Sequence, residues 1–246
     1  MQHYFLNQSI QIGQTIGLPA AVQKHWLRVM RASVGNRAEF VDNAEHVFIG
    51  ELVQSDAQPQ IKIIDQKQLN AELPFSVTIA CGVAKNDKAD WMVRKATEMG
   101  VDRVIFFAGD WSIAKWQPNR VGKKIDRLST IALSAAEQSH RNKVPTIEYQ
   151  AKLALIIAGD YQQKIVAYEE SAKAGEESML HQTVAQMHPN DSILAVFGPE
   201  GGISPQEIEL MESKGVKKAG LGPRILRTET APLYLLAAIS AFSELS

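Results

Sequence analysis

The 246-residue chain has a single cysteine, Cys81, so neither an internal disulfide nor a cysteine-built metal centre can form within it. A reducing compartment is the expectation. Aromatic residues make up only 7% and the net charge is −1, which separates the chain from the polycations that coat nucleic acid without selectivity. Long apolar runs are missing as well. The longest, near Leu233 to Phe242, is too short to span a bilayer, and the first residues lack the basic-then-apolar pattern of a secretory leader. The chain therefore reads as a cytoplasmic globular protein, with Cys81 a buried residue of a strand.

With 45% hydrophobic residues, one large domain or two modest ones can be built. The near-neutral total conceals an uneven distribution. Between Cys81 and Pro145 stand twelve Lys or Arg against seven Asp or Glu, an excess that a folded surface can gather into one patch. Phosphate binding needs clustered cations more than a basic total, so an RNA partner stays in view.

Up to Leu73-Pro74 the pattern is short and β-rich: Tyr4-Phe5-Leu6, Gln14 to Leu18, Ala38 to Val41, Val47 to Val53 and Ile61 to Ile64. Asp42-Asn43-Ala44-Glu45 reads as a hairpin turn, and one helix, Ala21 to Arg31, interrupts the strands. This predicts a small β-barrel over 1–73. From 74 to 246 strands alternate with helices: strands 77–83, 103–108, 145–149, 164–168, 192–197 and 217–221, helices 88–99, 119–139, 176–187, 205–213 and 229–243. That order predicts an α/β domain with a mainly parallel sheet. Gly100 suits a left-handed helix stop, and Ser204-Pro205-Gln206-Glu207 is a capping box with proline at the first helical position.

Ligands of open α/β sheets sit beyond the carboxyl ends of the strands. Three such ends are unusual here: Tyr168-Glu169-Glu170, the glycine loop Phe197-Gly198-Pro199-Glu200-Gly201-Gly202-Ile203-Ser204, and the stretch Leu221 to Ala231. The last crowds Arg224, Arg227, Thr228, Glu229 and Thr230 around a Gly-Pro turn before an apolar helix, a density of polar groups that suggests a bound ligand. Neither the Walker spacing nor G-x-G-x-x-G is present, so ATP hydrolysis and ordinary dinucleotide binding lose their main support. Taken alone, the glycine loop is equally a structural turn.

Four separated segments resemble the ribosomal RNA small subunit methyltransferase E family, of the SPOUT class of knotted methyltransferases. They are His25-Trp26-Leu27-Arg28-Val29-Met30-Arg31, Lys88 to Gly100, Ala135-Ala136-Glu137-Gln138-Ser139 with Arg141, and the two loops of the final third. The resemblance implies methyl transfer from S-adenosylmethionine to N3 of a uridine in 16S ribosomal RNA. It further implies a PUA-like barrel, a trefoil-knotted α/β domain, a homodimer, the small ribosomal subunit or its RNA as partner, and no metal. Knotted chains are too rare for periodicity to suggest one.

For such a reaction the candidate cofactor residues are Tyr168, Phe197, Gly198, Pro199, Glu200, Gly201, Gly202, Leu221, Gly222, Ile225, Leu226 and Thr228, with backbone groups of Phe197, Gly198, Gly202, Leu221 and Leu226 around the adenosine. The acceptor uridine must lose its N3 proton, so a cation and a base are sought. Arg227 is the candidate cation; Glu229 is the candidate base or sulfonium partner, with Glu200 as an alternative. Arg227 and Glu229 could instead form a structural pair. Candidate RNA contacts are His25, Arg28 and Arg31, read as one turn of helix, then Lys88, Arg94, Lys95 and Arg141. Trp91 shares a helical side with Lys88 and Lys95, yet reads as half-buried core. Arg120, Lys124 and Arg127 read as a solvated helix stripe, and His3, His46, His140, His181 and His188 as surface or packing residues without ligand spacing. Competing readings are a related knotted methyltransferase acting on another base or a tRNA ribose, and an RNA-binding assembly factor without activity.

Overall fold

The computed structural model of the protein describes residues 1–85, 87–168 and 179–245. Glu169, Glu170 and the first three residues of the expected helix 176–187 lie outside the described residues. Two compact units divide the chain, Met1–Glu72 with Ala136–Lys143, and Leu73–Ala135 with Val144–Ser246.

In the first unit a five-stranded sheet runs in the order β1-β3-β4-β5-β2, from β1 (Gln2–Phe5), β2 (Thr15–Gly17), β3 (Arg37–Val41), β4 (Val47–Gln54) and β5 (Gln60–Lys67). Only β1 and β3 pair parallel; the other pairs are antiparallel. Alternation sets the inner face, as in β5, where Ile61 and Ile63 are buried and Lys62 is exposed. Tyr4, Trp26 and Phe40 form the aromatic centre, with the Trp26 and Phe40 rings 5.7 Å apart and edge to face.

The expected helix 21–31 differs in form. A short α1 (Ala20–Val22) passes into a π-helix, Gln23–Val29, in which the Met30 N–H donates to the His25 carbonyl five residues back at 2.9 Å. Arg31 follows in left-handed conformation with φ 56°. Arg28 and Arg31 are therefore not one α-turn apart, because the winding is wider and ends before Arg31.

A buried polar cluster ties this unit's distant segments together. Glu39 takes Lys67 Nζ on one carboxylate oxygen at 2.7 Å, and His3 Nδ1 and His140 Nδ1 on the other at 2.9 and 2.6 Å. The remaining His3 nitrogen donates to the Arg141 carbonyl at 2.8 Å, since a carbonyl can only accept. His3 and His140 are thus members of one network, not isolated packing residues. Burial opposes the charged Glu39, but its hydrogen bonds to Lys67, His3 and His140 outweigh this and hold its pKa down at about 2.

The second unit is a six-stranded sheet in the order β11-β9-β10-β6-β7-β8, every pair parallel. Its strands are β6 (Ser76–Gly82), β7 (Arg103–Phe107), β8 (Thr146–Tyr149), β9 (Gln163–Ala167), β10 (Ser192–Phe197) and β11 (Lys217–Ala219). Helices α2 (Lys88–Glu98), α3 (Pro118–Gln138, its last turn in the first unit), α4 (Leu153–Ile157), α5 (Met179–Ala185), α6 (Pro205–Ser213) and α7 (Ala231–Ser243) intervene. α4 escapes sequence reading because five residues carry too little period to be told from a loop.

The central strands are buried on both faces. Ile79, Cys81 and Phe197 enter one apolar cluster, while Ala80, Leu194 and Val196 enter another, which explains their nearly unbroken apolar runs. Burial pushes the Cys81 thiol far up, so it is an inert core residue. No helix among the described residues is long and apolar enough to cross a membrane.

Candidate functional site

The strand order fixes where a ligand can enter. From β6 the chain moves outward through β7 to β8, whereas β9, β10 and β11 occupy the other side, so β6 and β10 meet at the point where the order reverses. At such a point the connections diverge and leave a crevice at the strands' carboxyl ends. A cleft of about 730 Å³ lies there, lined by Ala167 and Tyr168 after β9, by Phe197 to Glu200 and Gly202 after β10, and by Ile225 to Thr228. The two loops singled out by sequence thus border one cavity. Ile203, Pro205, Ala231, Lys88 and Trp111 complete its lining.

The glycine loop is shaped by close approach. Gly202, at φ +84°, turns the chain back so that its N–H donates to the Pro199 carbonyl at 2.9 Å. That amide is consequently spent inside the loop. A Cβ on Gly201 would lie 2.5 Å from the Trp111 carbonyl oxygen, closer than atoms can pack. The loop is locked to α6 by the capping box: Glu207 N–H donates to Ser204 Oγ at 3.1 Å and Ser204 N–H to the Glu207 carboxylate at 2.9 Å. Ser204 Oγ in turn donates to Asp110 at 2.7 Å, and the Asp110 N–H to Glu207 at 3.1 Å, which clamps the Trp111 segment against the glycine loop. We expect Gly201→Ala to force that segment away, costing about 1–3 kcal/mol of stability, which thermal melts measure.

In the second loop the Arg227 carbonyl accepts from the N–H groups of Thr230 and Ala231 at 2.8 and 3.0 Å, which starts α7. Arg227 borders the cleft, and its guanidinium has no carboxylate partner among the described residues. The structural pair between Arg227 and Glu229 considered from sequence does not form. Glu229 instead lies 3.2 Å from Lys88 Nζ, without the geometry of a hydrogen bond at that oxygen, and Lys88 also pairs with Glu200 at 3.1 Å. Burial disfavours the Lys88 ammonium, but the two carboxylates outweigh it and raise its pKa. Burial likewise opposes charge on Glu200, yet hydrogen bonds from its own and the Lys85 backbone N–H groups, together with Lys88, hold its pKa down.

Several expected roles change. Lys88 bridges the two loops by charge and lines the cleft wall. Arg141 is only 1% exposed, with its guanidinium on Glu72, so it is a structural residue of the first unit and cannot meet RNA. Lys95 pairs with Glu98 at 2.7 Å, whereas Arg94, His25 and Arg28 are exposed. Trp91 is 42% exposed rather than core. Gly201, Leu221 and Gly222 are not among the residues that line the cleft; Leu221 packs on the apolar core and Gly222 turns the chain at φ +80°. Trp111 is a cleft residue that sequence reasoning does not single out, although an aromatic flanked by polar residues just past a strand's carboxyl end is a signal of use.

Residues 71–240 match the model of the RNA methyltransferase domain family. The ribosomal RNA small subunit methyltransferase E of Bacillus subtilis is 38% identical over all of this chain and 98% of its own length. A solved structure of a hypothetical protein superposes with TM-score 0.90 at 34% identity, covering 99% of both chains. The Neisseria gonorrhoeae ribosomal RNA small subunit methyltransferase E, bound to S-adenosyl methionine, superposes with TM-score 0.85 at 26% identity over 98% of this chain and 97% of its own. The match runs across both units and through both loops of the cleft, and the chain belongs to the ribosomal RNA small subunit methyltransferase E family.

Proposed function

We propose that this protein transfers the methyl group of S-adenosylmethionine to N3 of a uridine in 16S ribosomal RNA, acting in the cytoplasm as a homodimer with the first unit as a PUA-like RNA-binding module. The observation that carries the reading is the shared cleft at the sheet's reversal point, bordered by both loops.

Its walls fit the cofactor. Phe197, Ile203 and Leu226 offer apolar surface for the adenine, and the glycine backbone lets a nucleoside come close. When bound, S-adenosylmethionine supplies a methyl group on a positively charged sulfur. The chain has to position the acceptor in line and to compensate shifting charge, for which no metal ion is needed. Arg227 holds a uracil oxygen as N3 loses its proton. Glu229 serves as proton acceptor or sulfonium partner, and its charge contact with Lys88 keeps the two loops in register. Exposed Trp111 offers a face on which the extruded base can stack. In the first unit, the exposure of His25 and Arg28 supports their use in phosphate contacts.

Two measurements test the reading. Calorimetry should detect one S-adenosylmethionine per chain, and incubation with small subunits from a deletion strain should add a methyl that nucleoside mass spectrometry assigns to uridine N3. Absence of cofactor binding favours an assembly factor. A methyl on ribose or another base sinks the uridine-N3 assignment.

A further inference from the structure

The helix stripe that sequence alone assigns to solvent contributes to a second cleft. Lys124, Arg127 and Leu128 of α3 line a cavity of about 410 Å³ together with Lys85, Lys115 and Trp116. Lys124, Arg127 and Leu128 recur at the spacing of one helix face. The Trp116 ring is fixed from behind, stacked on Tyr149 at 5.5 Å and tilted against Phe106 at 5.0 Å, and Lys124 Nζ lies 5.3 Å from its centroid. Arg127 is neutralised by Asp90, but Lys85, Lys115 and Lys124 have no carboxylate partner among the described residues. Asp87 and Asp90 line the same cavity, so four cations against two carboxylates leave a net positive wall beside an anchored aromatic ring, which suits a ligand with both negative charge and flat apolar surface.

This cavity adjoins the cofactor cleft along the chain. At the start of α2, Lys88 lines the first cavity and Lys85, just before the helix, the second; in the segment after β7, Trp111 lines the first, and Ala114, Lys115 and Trp116 the second. A polynucleotide whose target base enters the first would pass its neighbouring residues across the second. Resting on the methyltransferase reading above, we infer that the cleft between α3 and the Lys115-Trp116 segment binds the sugar-phosphate backbone of single-stranded RNA adjoining the nucleotide to be methylated. Its cations supply affinity without sequence information, and recognition of the target base stays with the first cleft.

The test uses the full chain with S-adenosylmethionine and a fluorescent single-stranded oligoribonucleotide of mixed sequence, with binding followed by anisotropy over a range of salt. The double variant Lys115→Glu/Lys124→Glu is compared with Arg120→Glu/Lys123→Glu, which makes the same charge change at exposed positions of α3 outside the cavity lining. The cleft variant should bind RNA at least tenfold more weakly. Its plot of log affinity against log salt should flatten by about 1.4, the share of two lost single-strand phosphate contacts. Cofactor affinity should stay within about twofold, and the control variant should lose less than about threefold in RNA affinity. An unchanged slope in the cleft variant overturns the proposal, as does an equal loss in the control, which would mark a diffuse surface field. If the unaltered protein binds RNA through this cleft but takes no S-adenosylmethionine, the methyltransferase reading fails and the cleft assignment stands.

Discussion

Replacing Arg227 by alanine is expected to lower the methylation rate about a thousandfold while leaving cofactor affinity and melting temperature nearly unchanged. Uridine N3 becomes a competent acceptor only when its proton leaves, and the negative charge then spreads onto the flanking carbonyl oxygens. A guanidinium that donates to one of these oxygens leaves the N3 edge open to the incoming methyl group, and its stabilisation grows as the charge develops. Arg227 is available for this role, because it borders the cleft, no carboxylate holds it among the described residues, and Glu229 is engaged with Lys88. Structural damage should be small because Arg227 supports α7 through its backbone carbonyl, which alanine also possesses. Arg227→Lys should fall between the two, keeping the charge but losing the planar fork. Single-turnover rates at saturating cofactor separate chemistry from binding. Full turnover by the alanine variant would remove Arg227 from the chemistry.

What can be read from sequence is local. Alternating Ile61, Lys62 and Ile63 announce a half-buried strand, the apolar run through Ile193 and Val196 a strand covered on both faces, and Ser204 with Glu207 a helix start; each needs only a few consecutive residues. Both cleft loops are visible because they follow strand ends and carry residues a turn alone does not require. Contacts across long sequence separations are not visible. A cation in a family-like segment reads the same whether it faces solvent or a carboxylate, so Arg141, buried on Glu72, and Lys88, shared by Glu200 and Glu229, both resemble RNA contacts in sequence. The meeting of His3, Glu39 and His140 likewise depends on pairing between segments far apart in the chain. The π-helical winding that displaces Arg31 leaves no periodic trace in so short a helix.

Glu39→Gln is expected to destabilise the first unit by about 3 kcal/mol near neutral pH, because it removes the only negative charge that Lys67 and the two histidines share at that point. The pH dependence identifies the cause. Folding depresses the Glu39 carboxyl from 4.5 to about 2, so its contribution is complete above pH 4.5 and is lost as the pH falls towards 2. A depression of this size corresponds to roughly 3 kcal/mol between those limits. Glu137 acts in the opposite sense: burial raises its carboxyl from 4.5 to about 7, so its contribution is complete below 4.5 and is lost as the pH rises through 7. Together they predict greatest stability of this unit near pH 5, with an acid limb due to Glu39 and a neutral limb due to Glu137. Urea titrations between pH 3 and 8, with hydrogen exchange at β3 amides reporting on this unit, should show that Glu39→Gln flattens the acid limb and leaves the neutral one. Acid limbs of equal slope in the two proteins would mean that another carboxylate governs the transition and that the Lys67, His3 and His140 contacts do little to hold Glu39 ionised.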